Sequence, residues 1–265
     1  MPEAAPPGGK PRAIAKRGLE QALWTRVRVQ RWLEARRGGP RPRPDARPAT
    51  DVLSTRADWE AAVAECRRLR LPLHLDRPKN WDALGAVSVV LDTASTDERV
   101  LDAGAARYSP VLPWLRLYGY FQLFGNNLEF TRTHRHGPVT FEYGDITATD
   151  HPAGSFAAIT CMSVIEHGVP VEPFLKESSR LLRSGGVLVI STDYDRNPPD
   201  TTGKVAYGVP VHIFSPEDIR QLVELAAGVG LRLRGELRLD NAERPVHWKR
   251  IGLDYTCILL TFDRD

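Results

Sequence analysis

From residue 99 onward the sequence switches at short, regular intervals between apolar runs of strand length and segments with helical spacing, and this alternation constrains the fold more than any other feature. "RVLDAG" reads as a buried strand, "SPVLPWLRLYG" as a helix opened by a Ser cap with Pro110 in its first turn, and "YFQLFGNN" as a second strand. Further on come strand "SFAAITCMS", helix "VEPFLKESSRLL", the turn "RSGG", strand "VLVISTDY" and helix "SPEDIRQLVELAAGVG". Strands that alternate with helices predict a parallel sheet covered on both faces. Two late strands, "LRLRGELRL" and "YTCILLTF", lack a full helix between them and are expected to form an antiparallel hairpin at the sheet edge.

The first hundred residues differ in character. Residues 1–50 hold twelve Lys/Arg against four acids, a balance of +8, while the remaining residues hold 24 against 29, a balance of −5. "MPEAAPPGGKPR" and "GGPRPRPDARPA" are rich in Pro, Gly and Arg and read as flexible tail and linker. Between them residues 13–37 carry Leu19, Leu23 and Val27 at four-residue steps among arginines, the pattern of a basic amphipathic helix. Such a helix suits an anionic membrane surface, a protein partner, or docking on its own domain. A second helix is expected at "STRADWEAAVAECRRLRL", capped by Ser54 or Thr55, and a third follows the cluster "HLDRPKNWDALG". The chain thus divides into a leader at 1–49, a helical cap or lid at 50–98 and a main domain at 99–265. Cys66, Cys161 and Cys257 are far apart and match no metal spacing, and no run is long and apolar enough to span a bilayer. A cytoplasmic protein, peripheral at a membrane if the leader binds one, is the expectation.

In an open parallel sheet, ligands bind beyond the carboxyl ends of the strands. The first turn there, "VLDAGAARYSP", lacks the G-x-G-x-x-G pattern that cradles a pyrophosphate, because Gly104 is followed by Ala105, Ala106 and Arg107. Instead Asp102-Ala103-Gly104 resembles the first motif of class I S-adenosylmethionine-dependent methyltransferases of the small-molecule type, with Ala106 where a second glycine usually stands. "LFGNNLEF" puts Asn127 where that family has an acid for the ribose hydroxyls, with Glu129 nearby. "YGDIT" offers Asp145 and Ile146 to the adenine, and "SFAAITCMSVIEHG" with "RLLRSGG" resembles the fourth strand and the turn into the fifth. The resemblance covers residues 99–265. It implies a Rossmann-like, mostly parallel seven-stranded sheet with an antiparallel C-terminal edge strand, S-adenosyl-L-methionine as cofactor, and Asp102, Ala103, Gly104, Asn127, Asp145, Ile146 and Ser163 around it.

Methyl transfer from a sulfonium requires alignment of the acceptor, exclusion of water and, for a hydroxyl or amine, removal of a proton. Glu166 and His167 follow strand four, Asp193 ends strand five, and His212 precedes the long helix after it. His167 is the first candidate for a general base, oriented by Glu166 or Asp193, in O-methylation of a small-molecule or glycan-type acceptor. A metal-assisted alternative uses Glu166, His167 and His212 as ligands of a divalent ion, although Ser163 stands where related enzymes carry a further Glu. A non-catalytic cofactor-binding protein is the other alternative, favoured by Ala106 and Asn127. A nucleic-acid substrate is disfavoured: the main domain is acidic, and "RNPPD" follows strand five and lacks the aromatic of a base-flipping motif.

Overall fold

The structure, a computed structural model, describes residues 9–265, with side chains from residue 18 onward. Of the segment read from sequence as a tail, residues 1–8 lie outside the described residues, whereas residues 9–12 belong to the first helix. The elements in chain order are α1 (Gly9–Arg37), β1 (Asp51–Val52), α2 (Arg56–Arg68), α3 (Lys79–Thr93), β2 (Arg99–Ala103), α4 (Val111–Leu117), β3 (Gln122–Asn126), β4 (His134–His136) and β5 (Val139–Glu142). They continue as β6 (Phe156–Met162), α5 (Val171–Leu181), β7 (Leu182–Tyr194), β8 (Val205–Ala206), β9 (Val209–Pro210), α6 (Pro216–Gly228), β10 (Leu231–Leu233), β11 (Val246–Trp248) and β12 (Leu253–Arg264).

Five strands run parallel in the order β5-β3-β2-β6-β7, flanked by antiparallel β4 beside β5 and antiparallel β12 beside β7. Short β1, β10 and β11 pair antiparallel with β12 beyond that seven-stranded body. Each central strand is apolar on both sides, and its residues alternate between two cores. Val100, Ala158, Val187, Val189 and Leu259 face α3 and α4, whereas Leu101, Ile159, Leu188, Ile190, Ile258 and Leu260 face α5 and α6.

Capping follows sequence logic at two helices. Thr55 with Asp58 and Ser215 with Asp218 form reciprocal capping boxes that satisfy orphan amides at the starts of α2 and α6. The Ser cap expected for α4 is absent. Pro110 occupies the N-cap, while the Ser109 hydroxyl accepts from the Ala106 amide and closes the preceding turn. The late "LRLRGELRL" strand is also shorter than its pattern predicts: pairing with β12 covers Leu231–Leu233, and Gly235 at φ 91° turns the chain away.

Helix α1 packs against α4, burying Trp24 and Val27. The Arg-rich segment after it lies on α1, α2 and α3: Arg41 pairs with Glu34, Arg43 with Asp92 at 2.7 Å, and Arg47 with Glu65. Helix α3 crosses β6, β7 and β12, so its N-terminus arrives over the carboxyl ends of the strands. Trp81, in its first turn, is half-buried against the cores and anchors the segment read from sequence as a lid.

Candidate active site

The turn after β2 is built for close approach. Gly104 has φ 79°, and a Cβ there would lie 2.6 Å from both methyl groups of Val164, so the position admits only glycine. Its amide donates to the Asn126 carbonyl at 2.9 Å. Asn127 completes the clasp: its Nδ2 donates to the carbonyls of Gly104 at 3.0 Å and Ala105 at 3.3 Å, and its Oδ1 accepts from the Glu129 amide. A carboxylate at this position has no hydrogen to offer those two carbonyls, which gives the Asn a physical reason.

Asp102 and Ala103 are buried in the middle of the sheet. Burial raises the Asp102 carboxyl to about 7, opposed by the Thr160 hydroxyl, which donates to it at 2.8 Å. At the end of β3, Asn126 is buried and its Oδ1 has no hydrogen-bond partner among the described residues. Across from it Gly144 is so close that a Cβ would sit 3.3 Å from Asn126 Nδ2. The sequence motif points to Asn127, whereas Asn126 is the more deeply buried of the pair. The doubled "NN" after "FG" was the available signal, but register alone does not say which of the two points inward. Asp145 is exposed and its Oδ1 accepts from the amide and hydroxyl of Thr147, while Ile146 is half-buried against the second core.

Beyond Val164 lies a buried charged cluster. Ser163, the residue after β6, has φ 53° without being glycine, a conformation held because its amide donates to the carbonyl and hydroxyl of Ser191. Lys79, from the start of α3, donates to the Ser163 hydroxyl and lies 3.6 Å from Asp193 at the end of β7. Ser191 in turn donates to Asp82 at 2.7 Å, and Thr192 donates to one oxygen of Glu166 at 3.1 Å. The other Glu166 oxygen, Oε1, is buried without a hydrogen-bond partner among the described residues.

Three carboxyls and one ammonium therefore share a desolvated space. Burial pulls the Lys79 ammonium down, but Asp193, Asp82 and Glu166 outweigh it and hold Lys79 well above its ordinary value. Burial, reinforced by Asp193, pushes Glu166 up to about 8, so it carries a proton at neutral pH. Burial also raises Asp193, against the pull of Lys79. His167 is half-buried beside this cluster, with Tyr207 5.0 Å and Trp248 6.3 Å away between ring centroids. Burial lowers its pKa, which keeps the imidazole neutral at pH 7.

The sequence candidates are thus only partly assembled. Glu166, His167, Asp193 and Ser163 come together, joined by Lys79 and Asp82 from α3. His212 stands apart with its Nε2 3.6 Å from Asp218 and its ring 4.5 Å from Phe214, although it lines with Glu166 a cleft of about 480 Å³ beside α6. The metal-ligand set Glu166, His167 and His212 is corrected by this geometry. Among the described residues the trio whose ligand atoms converge within 4.8 Å is a different one, Glu20, His134 and His136. The Thr192 bond, the aromatic rings and Asp218 hold the three predicted ligands on separate partners.

Residues 101–190 match the family model described as a methyltransferase domain. That span carries a methyltransferase domain. Within the matched span lie the Gly104 turn, Asn126, Ser163, Glu166 and His167. Sterol 24-C-methyltransferase of Yarrowia lipolytica (strain CLIB 122 / E 150) is 27% identical over 123 residues, which are 43% of this chain and 32% of that protein. The chain thus matches about a third of the length of this curated relative.

Among solved structures, geranyl diphosphate C-methyltransferase from Streptomyces coelicolor A3(2), in complex with Mg2+, geranyl diphosphate and S-adenosyl-L-homocysteine, superposes with a TM-score of 0.53 at 16% identity. That superposition covers 93% of this chain and 98% of the other. The [4+2]-cyclase SpnF superposes with a TM-score of 0.52 at 15% identity over 69% of this chain and 83% of its own. The methyltransferase fold therefore extends across nearly the whole chain, and the fold by itself does not fix the reaction.

Proposed function

We propose that this methyltransferase domain holds S-adenosylmethionine across the carboxyl ends of β2, β3 and β5 and methylates a small-molecule acceptor placed over Glu166, His167 and Asp193. The observation that carries this reading is the contact of Val164 with Gly104: the cofactor turn and the Ser163–His167 segment share one wall. The residues suit the cofactor. Gly104 presents bare backbone, Asn126 has a buried acceptor oxygen without a partner, and Asp145 lies at the exposed end of the same edge. Bound there, S-adenosylmethionine supplies an electrophilic methyl group on a sulfonium.

The chain's own residues do the rest. Lys79 and Asp193 fix the floor of the acceptor site and exclude water from it. His167, neutral at pH 7, takes the proton of an acceptor hydroxyl, with Asp193 favouring the imidazolium that results. A second reading has a carbon acceptor. It is motivated by the buried Asp193 carboxyl, which would stabilise positive charge on an apolar acceptor, and by relatives named as C-methyltransferases. Incubation with deuterated-methyl cofactor and metabolite extract, followed by NMR of the labelled product, separates the two by whether the methyl appears on oxygen or carbon. Cofactor-analogue binding with no labelled product from any extract overturns the catalytic reading.

No helix among the described residues is long and apolar enough to cross a membrane. We further propose that α1 rests on anionic membrane surfaces. Val29, Trp32 and Leu33 are exposed on its outer side, and the Arg36 guanidinium stacks 3.7 Å above the Trp32 ring.

A further inference from the structure

The strand "HRH" places His134 and His136 on the same face of β4, and pairing with β5 fixes their register opposite Phe141 and Val139. Each imidazole is held in plane by a stacked ring: His134 lies 5.0 Å from Phe141 at 10°, and His136 lies 5.2 Å from Trp24 at 7°. Both Nε2 atoms converge on one oxygen of Glu20 in α1, at 3.3 Å from His134 and 2.8 Å from His136. Glu20 is only 4% exposed, an unusual setting for a helix carboxylate. Its other oxygen faces Arg107 Nη1 at 3.3 Å, in the stretch that follows the Gly104 turn.

This arrangement does not close as a hydrogen-bond network. His134 Nε2 also lies 3.1 Å from Arg107 Nη1. As an acceptor it suits Arg107 and opposes the Glu20 oxygen; as a donor it suits Glu20 and opposes Arg107. A cation between the three ligand atoms removes the conflict. Metal bonds of about 2.0–2.2 Å from two imidazoles and a carboxylate need donor atoms roughly 3–3.5 Å apart, which the 2.8 Å and 3.3 Å approaches to Glu20 reach with a small side-chain adjustment, and that donor set suits zinc-type divalent ions.

We propose that Glu20, His134 and His136 form a binding site for one divalent transition-metal ion of the zinc type, clamping α1 to the β4 edge. His134 exchanges its contact with Arg107 for the ion, and Arg107 keeps the second Glu20 oxygen. The site is separate from Glu166, His167 and Asp193, and it makes the seating of α1, beside the cofactor turn, depend on metal.

The test uses the full chain, stripped with chelator and titrated with ZnCl2 by calorimetry and with Co2+ by visible absorption. One ion per chain and Co2+ d–d bands are expected, with affinity at least tenfold weaker in Glu20→Gln and in His136→Gln. Affinity should be unchanged in His247→Gln, which alters an exposed His paired with Asp254. Circular dichroism checks that each variant folds; where one does not, the wild-type Co2+ spectrum and a rise of its Tm with added Zn2+ decide. Absence of bands and heat in the wild type overturns the proposal, as does unchanged affinity in both folded site variants.

Discussion

One added methyl group at Gly104 would collide with Val164. Gly104→Ala should weaken S-adenosylhomocysteine binding at least tenfold by calorimetry and cost about 1–3 kcal/mol by chemical denaturation, the usual range for overpacking. Val164→Ala in the same chain should return part of both. At Asn127 the expectation runs against the family pattern. Restoring an acid by Asn127→Asp removes the donors to Gly104 and Ala105, so it should lower stability by about 1–3 kcal/mol and leave cofactor-analogue affinity no better; tighter binding in that calorimetric comparison would show the clasp reading to be mistaken. The turn itself was legible in the sequence because Asp102, Ala103 and Gly104 are neighbours and their chemistry is local. Lys79 was legible only as a cation of the lid cluster that could face an acceptor, and Asp82 was not legible as a site residue. They enter Ser163 and Ser191 contacts from more than eighty positions away, and no periodicity encodes where the start of a helix will land on a sheet.

Among the elements, α1 carries two different faces. Its inner face buries Glu20, Trp24 and Val27, while its outer face leaves Val29, Trp32 and Leu33 to solvent among arginines. The Leu19, Leu23, Val27 stripe pointed to amphipathicity but not to which face docks: Leu19 is exposed in the folded protein, and the buried centre lies nearer Glu20 and Trp24. A charged residue at that centre is invisible to a hydrophobic pattern, which is also why the His-Arg-His strand escaped notice. The double variant Trp32→Ser, Arg36→Ser should reduce sedimentation with phosphatidylserine-containing vesicles severalfold and leave cofactor-analogue binding unchanged. Equal sedimentation of variant and wild type would rule the outer face out as a lipid contact. The strands β2, β3, β6 and β7 and the helices α4, α5 and α6 were readable because each central strand is apolar on both sides. Ser109 and Gly235 show where element ends escape such patterns, one closing a turn instead of capping, the other ending a strand early.

At the scale of the whole molecule, Asp102 at about 7 and Glu166 at about 8 both titrate far above the unfolded range. Their folded pKa values are raised, so the stability that they contribute is complete below about pH 4 and is lost as pH rises through 7 to 8. Thermal scans should therefore show a lower Tm at pH 9 than at pH 6, at roughly 2–4 °C per kcal/mol for a domain near this size, and Glu166→Gln should flatten the slope. An equal Tm at the two pH values in the wild type would contradict that assignment.

The pairing of β1 with β12 has a consequence in time. Asp51 meets Leu259, a residue synthesised 208 positions later. At translation speeds of about 5–20 residues per second, β1 waits on the order of 10–40 s for its partner strand. For that interval α3, whose final seat includes β12, lies on an unfinished sheet, and the arginine-rich leader has only part of its docking surface. A nascent chain of this kind is most exposed to wrong partners just before β12 emerges.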